Sequence, residues 1–366
     1  MAATIARSST DAREAARSLV LRYGWNASAY QILNPGMRLW FSAARNAVAG
    51  YAVHAQTWVV AGAPVCASEH LDSAASELEE AAARAGQGLI YFGAGERLEQ
   101  RAAERGGHCR FLLGAQPVWS PATWPSIVKG KASLRAQLNR ARNKGVVVTE
   151  WPAVAVAAER HPALKRVRDQ WLGTRGLPPL HFMTETDTLG NLRDRRVFVA
   201  ERDTEGVVAF LVATPVPARQ GWLVEQWPRT ARAPNGTTHL LVDAAMRALA
   251  ASGADYVTLG LAPLSERAGA IAEGQPLWLR GILRWLRAHG RRFYNFRGLE
   301  AFKASLEPER WEPIYALAVG ERFTVRSLRA VAGVFGGGAP ERLLARALSM
   351  AAVRELARVR HVPRAQ

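Results

Sequence analysis

Between Gly221 and Leu261 the chain reads GWLVEQWPRTARAPNGTTHLLVDAAMRALAASGADYVTLGL. Its first residues form a strand that ends on Glu225, and Arg229 follows in the loop. Pro234-Asn235-Gly236 is a turn, and Thr237 or Thr238 can cap the helix predicted over Thr238–Ala251. A second strand is predicted over Tyr256–Leu261. Strand, glycine-containing turn and helix in that order identify an α/β fold. They also present free backbone N–H groups and the positive end of a helix dipole, which suit a phosphate or a carboxylate. Asn235 and Gly236 are therefore candidate substrate contacts, with an ordinary strand-to-helix turn as the alternative.

Upstream, the same style recurs. A helix is predicted from about Ala163 to Trp171, and strands over Arg196–Glu201 and Val207–Thr214. The N-terminal part opens with a helix over Asp11–Tyr23, capped at Thr10 or Asp11. Strands follow at Met37–Phe41, Val48–His54 and Thr57–Val60, then a turn at Gly62-Ala-Pro64. A helix over Leu71–Ala85, a buried strand over Gly88–Gly93 and a helix over Arg97–Arg105 complete a unit ending near Ser126. The two units, residues 1–126 and 146–320, resemble one another in pattern and not in residue identity. Two units also suit the 366 residues, at about 150 residues per domain.

The linker between them, residues 127–145, includes KGKASLRAQLNRARNKG (Lys129–Gly145). It carries Lys129, Lys131, Arg135, Arg140, Arg142 and Lys144 and no acidic residue, while Leu134 and Leu138 form a thin apolar stripe one helical turn apart. A helix without acids gains nothing from i,i+4 pairing, so a polyanion contact is the favoured reading and a solvated helix the alternative. The rest of the chain agrees, with a formal net charge of +17 and a pI near 10.9. Such an excess favours nucleic acid or an anionic membrane as partner, unless it is an arginine-rich composition serving only solubility. Residues 321–366 form a further basic, helical tail around Gly336-Gly337-Gly338.

Several classes are excluded. Cys66 and Cys109 build neither a disulfide framework nor a zinc site, and a reducing cytoplasm is the expected compartment. Met1–Val20 has charged residues and no apolar core, so it is not a signal peptide. No stretch approaches the ~18 apolar residues of a membrane span. Gly333–Gly338 is glycine-rich but lacks the Lys-Ser/Thr of a phosphate-binding loop. His239 and Asp243 spell HxxxD, a pair that arises cheaply at i,i+4 on a helix. In Trp278–Arg292, tryptophans and arginines interleave on an amphipathic pattern, suited either to an anionic membrane interface or to packing on the second unit.

Five blocks in order carry a family resemblance: KGKASLRAQLNRARNKG, RDQWL (Arg168–Leu172), APNG (Ala233–Gly236), LGLAPLS (Leu259–Ser265) and FYNFRGLEAFKASLEPERWEPIY (Phe293–Tyr315). Together the chain from about Tyr23 to Val319 resembles the C-terminal cytosolic domain of the lysyl- and alanyl-phosphatidylglycerol synthases. The resemblance implies tandem GNAT-like domains joined by a basic helix, with the active site in the second. It implies an aminoacyltransferase with aminoacyl-tRNA as donor, no acyl-CoA and no metal. An anionic phospholipid, phosphatidylglycerol above all, is the implied acceptor, met from the cytoplasm at the inner face of the membrane.

Residue by residue, the family's acidic strand residue corresponds to Glu225, where an aspartate is usual. Its arginine corresponds to Arg229 with a one-residue shift, and its lysine to Lys303. The basic linker supplies Lys129, Lys131, Arg135, Arg140, Arg142 and Lys144 for the tRNA. The transmembrane part of the full-length synthases is not in this sequence, and the acid–arginine motif reads Glu-Gln-Trp-Pro-Arg. Both departures bear on the acceptor more than on the fold or donor. The alternatives are an acyl-CoA-dependent GNAT N-acyltransferase, against which the turn lacks the Q/R-x-x-G-x-G/A spacing, and a non-catalytic binder of RNA or anionic membranes.

Overall fold

Strands of two kinds build the molecule. Thr57–Ala61 (TWVVA) is buried throughout, and Gly206–Val216 (GVVAFLVATPV) is buried from its second residue onward. Apolar, largely β-branched runs of this kind fit a sheet covered on both faces. Val147–Trp151, by contrast, is mostly exposed and lies at the sheet edge.

The computed structural model describes residues 10–152, 161–174, 182–184, 188–269, 296–320 and 322–337. Its N-terminal half contains α1 (Thr10–Tyr23), β1 (Arg38–Phe41), β2 (Val48–His54), β3 (Thr57–Ala61), α2 (Leu71–Arg84), β4 (Gly88–Ala94), α3 (Glu96–Arg105) and β5 (His108–Trp119). Two short helices, α4 (Trp124–Gly130) and α5 (Ala132–Asn143), lead into β6 (Val147–Trp151). The C-terminal half contains α6 (His161–Gly173), β7 (Arg196–Arg202), β8 (Gly206–Val216), β9 (Gly221–Gln226), α7 (Thr237–Ala251), β10 (Tyr256–Thr258), β11 (Ala262–Pro263), α8 (Phe296–Ser305) and β12 (Arg310–Val319). A last helix, α9 (Val325–Phe335), follows. The expected α/β class is what the chain adopts.

One mixed sheet runs β1-β2-β3-β4-β12-β5-β10-β9-β8-β7-β6, with β11 on β5. The pairing order repeats. β1–β2 and β2–β3 are antiparallel and β3–β4 parallel; β7–β8 and β8–β9 are antiparallel and β9–β10 parallel. At the centre each half's last strand has crossed over. β12 pairs with β4, β5 pairs with β10, and β5 and β12 pair antiparallel with one another. Helices cover both faces. In the N-terminal half α2 and α3 cover one face, with Ala16 and Val20 of α1 and Ala330 and Val334 of α9 on the other. In the C-terminal half α4, α5 and α7 cover one face, and Leu164 and Val167 of α6 the other.

Four expectations need correction. The basic linker is two helices, because Lys131 is extended (φ −104, ψ 97) and Arg135 donates to the Val128 carbonyl (3.2 Å) and the Lys129 carbonyl at the end of α4. β10 stops at Thr258 and not at Leu261, because Gly260 (φ +69) turns the chain toward its β11 pairing with β5. Neither Thr237 nor Thr238 caps α7: the cap is Gly236, and Thr237 Oγ1 donates to the Pro234 carbonyl at 2.7 Å. The start of the tail is core, since α9 places Ala330 and Val334 among residues of β2 and β3. The Trp278–Arg292 segment and the tail from residue 338 lie outside the described residues.

Candidate active site

β9 and β10 run parallel, with Leu223 opposite Thr258. Glu225 and Gly260 each lie two residues beyond that pair, so both stand at the same end of the strands. Val224 packs in the α7 core, whereas Leu223 packs with Val216 and Tyr256. By strand alternation Glu225 shares the face of Leu223.

On that face the Glu225 side chain is 9% exposed and Oε2 accepts from Arg195 Nε at 3.3 Å. Arg195, itself 1% exposed, is fixed from several sides. It donates to the Asn191 carbonyl and to Asn34 Oδ1 (3.5 Å), and its guanidinium lies 4.9 Å from the centre of the Tyr30 ring. The Tyr30 hydroxyl donates to Asp194 Oδ2 (2.7 Å), which also accepts from Arg17 Nε (2.6 Å). Burial disfavours the Asp194 charge, but the hydrogen bonds from Arg17 and Tyr30 outweigh it and hold the carboxyl below its ordinary value. The Tyr30 hydroxyl is raised by burial first and by Asp194 second. This cluster ties α1 and the loop before β7 to Glu225. Sequence reasoning missed Arg195, Tyr30 and Asn34; the run Asp194-Arg195-Arg196 ahead of a strand was its only trace.

Lys303 approaches from α8. Nζ donates to the carbonyls of Gly260 (2.8 Å) and Leu261 (2.9 Å), and the residue is 2% exposed. Burial pulls its pKa down to about 7. Its immediate work is to hold the turn that ends β10. Phe302, its neighbour in sequence, lies 5.9 Å from the Trp227 ring and 5.2 Å from that of His239. Burial, and then exposed Arg229, lower the His239 pKa. Phe302 thus links the Arg229 loop to the Lys303 helix. The other half of the HxxxD pair is structural: buried Asp243 accepts from Trp124 Nε1 (2.9 Å), Arg142 (3.0 Å) and Arg247 (3.0 Å).

The turn before α7 differs from an open phosphate cradle. Asn235 is exposed, but Gly236 (φ +94) is buried, and a Cβ there would lie 2.1 Å from the Gln137 carbonyl oxygen of α5. Glycine is needed for that close approach. The linker cations split into two groups. Lys131 pairs with Glu307, Arg142 with Asp243, and Arg135 caps α4. Lys129, Arg140 and Lys144 are exposed, and their side chains have no ion pair among the described residues. Among the described residues no group of three or more His, Cys, Asp or Glu could hold a metal ion, and no helix is long and apolar enough to cross a membrane.

Comparison with known proteins places this arrangement. The sequence profile of the family described as phosphatidylglycerol lysyltransferase, C-terminal, matches residues 17–318. No curated protein matches the chain significantly by sequence. Among solved structures, the chain resembles the C-terminal DUF2156 domain described as that of a lysylphosphatidylglycerol synthetase from Agrobacterium fabrum, with TM-score 0.76, 25% identity, and coverage of 90% of this chain and 99% of that one. L-PGS from Bacillus licheniformis shares the fold at TM-score 0.71 and 22% identity, over 92% of this chain and 96% of that one. FemX does so at TM-score 0.54 and 9% identity, over 84% and 96% of the two chains. With 302 consecutive residues, 17–318, matched to one family, the chain belongs to the phosphatidylglycerol lysyltransferase C-terminal domains.

Proposed function

We propose that this protein moves an aminoacyl group from aminoacyl-tRNA to a hydroxyl on the headgroup of an anionic phospholipid of the phosphatidylglycerol type. Family membership and the names of its structural relatives support the lipid acceptor. The carboxylate of Glu225, ion-paired to a buried arginine at the end of β9, carries the assignment of the site. The repeated pairing order supports reading the chain as two GNAT-like halves with their last strands exchanged.

In the reaction, the acceptor oxygen attacks the aminoacyl ester carbonyl carbon. The new ester C–O bond forms, the bond to the tRNA ribose breaks, and the acceptor proton passes to the ribose oxygen. An ester replaces an ester, so little driving force is needed and the protein chiefly positions and polarises. Glu225 holds the substrate ammonium or relays the proton; both roles require its negative charge. Lys303 or Arg229 stabilises the developing oxyanion or the terminal phosphate of the tRNA. Lys129, Arg140 and Lys144 meet the tRNA backbone, and Asn235 lines its approach. The activated donor supplies the energy, so no cofactor or metal is invoked.

The test has two parts. Mass spectrometry of lipid extracts from cells with and without the gene should reveal an aminoacylated lipid only where the gene is present. Purified protein with aminoacyl-tRNA and phosphatidylglycerol vesicles should form the same product, and Glu225→Gln should not. A product absent from both experiments sinks the reading. Transfer from the tRNA to a soluble hydroxyl alone would retain the donor and replace the acceptor.

A further inference from the structure

The buried guanidinium of Arg195 aims its three nitrogens at three different parts of the chain. Nε donates to Glu225 Oε2 (3.3 Å), Nη2 to Asn34 Oδ1 (3.5 Å) and Nη1 to the Asn191 carbonyl. The Asn34 amide is oriented in turn, because its Nδ2 donates to the Phe182 carbonyl at 3.4 Å. Tyr30 sorts the charges. Its ring lies against Arg195, while its hydroxyl donates to Asp194, the carboxylate next to Arg195 in sequence, which Arg17 also engages. Asp194 is thereby occupied, and Arg195 pairs with Glu225. Tyr30 and Asn34 lie between α1 and β1 in the N-terminal half, whereas Arg195 and Glu225 belong to the C-terminal half.

A carboxylate with little access to water reverts to the neutral acid unless a cation or a hydrogen-bond donor stays beside it. Arg195 supplies both. Its planar fork reaches three acceptors at once, which the single ammonium of a lysine cannot do. We infer that Arg195 is a positioning residue for aminoacyl transfer: it keeps Glu225 negatively charged and fixed in direction, and Asn34 and Tyr30 extend that control into the N-terminal half. The inference rests on the reading of Glu225 as the working carboxylate of the site. Through Arg195, the N-terminal half acts on chemistry carried out in the C-terminal half.

The charge is read without turnover, by NMR titration of the intact protein with glutamate carboxyls labelled with carbon-13. The Glu225 resonance is the one lost in Glu225→Gln. Its midpoint should rise by about one pH unit or more in Arg195→Gln, the tenfold loss of acidity expected when an opposite charge leaves, and stay near the parent's in Arg195→Lys. The direction is read by transfer from aminoacyl-tRNA to phosphatidylglycerol vesicles. Both Arg195 variants should lower kcat by about tenfold or more, with KM for aminoacyl-tRNA little changed. Glu225 works as the anion, so transfer fades as pH falls through its midpoint. The acid limb of kcat/KM should therefore move to higher pH in Arg195→Gln and not in Arg195→Lys. Asn34→Ala, which loosens Arg195 without removing it, should raise the midpoint and lower kcat by smaller steps. An unmoved midpoint in folded Arg195→Gln overturns the inference, as does one in Asn34→Ala where Arg195→Gln does not fold. Full turnover by Arg195→Lys also overturns it. A parent that transfers nothing sinks the function proposed above instead, and the midpoint alone then decides whether Arg195 governs Glu225.

Discussion

The ends of the two parallel strand pairs share a backbone plan and differ in charge. At the end of β9–β10 a carboxylate, Glu225, is held by buried Arg195, and Lys303 fixes the following turn through two carbonyls. At the end of β3–β4 the prominent charge is positive and has no carboxylate partner among the described residues: Arg97, over Trp25 beside a shallow depression. The difference arises from groups outside the paired strands. Arg195 comes from the loop before β7 and Tyr30 from the segment after α1, whereas Trp25 and Asn26 line the other end. A repeated topology therefore does not imply a repeated site; chemistry follows the side chains grafted onto it.

The largest expected effect that separates the two ends is on turnover. Glu225→Gln should lower aminoacyl transfer by ~10²-fold or more while the protein stays folded, the scale for losing a positioned base or anchor. Arg97→Gln should leave single-turnover transfer unchanged. Equal losses in both variants would tie Arg97 to the reaction. Next come the two glycines at these ends, both at positive φ. Gly236→Ala should cost about 3 kcal/mol in urea unfolding, since its methyl meets the backbone oxygen of Gln137. Gly62→Ala meets the movable Asn26 side chain and should cost only about 1 kcal/mol beyond its backbone strain.

Lys303 gives a pH-dependent signature. Its folded pKa, about 7, lies below the unfolded value of 10.5, so between these values the unfolded chain binds more protons. Its penalty on stability is full below pH 7 and is relieved as pH rises, by up to about 1.4 kcal/mol per pH unit. Lys303→Met should flatten the rise in stability between pH 7 and 9; an unaltered profile would mean the lysine stays charged in the fold. The smallest effect concerns the linker. Replacing Lys129, Arg140 or Lys144 with Gln should each lower the salt slope of tRNA binding by about one. The same change at Arg135 should alter stability more than that slope, because its side chain already caps α4.

Most of the strands and helices were legible because their periodicity is local: TWVVA and TTHLLVDAAMRALAA announce themselves in any context. Glu225 was legible as a carboxylate ending a strand, and Lys303 only through a family resemblance. Their partners were not. The Glu225–Arg195 pair is 30 residues apart in sequence and the Arg195–Asn34 contact spans 161, separations no periodic pattern encodes. The linker break escaped notice because it depends on Arg135 reaching back to the end of α4 and on Glu307 arriving from beyond α8. The close approach at Gly236 was not legible for a related reason. Its need for a missing side chain comes from the α5 backbone, which the local sequence around APNG does not mention.

The crossing of β5 and β12 has a consequence for biosynthesis. As the chain leaves the ribosome, β4 and β5 emerge long before β12 (Arg310–Val319), the strand that lies between them. Until then the N-terminal half has two exposed strand edges at its centre, with Phe111 and Leu112 deprived of the cover that Ala316 and Ala318 later provide. Edges of that kind recruit other strands. The two halves cannot mature one after the other like beads on a string; they close in one late, long-range step that is slow by its topology. Cutting the gene between the halves is therefore expected to yield two insoluble fragments, which sedimentation of the separately expressed halves would check.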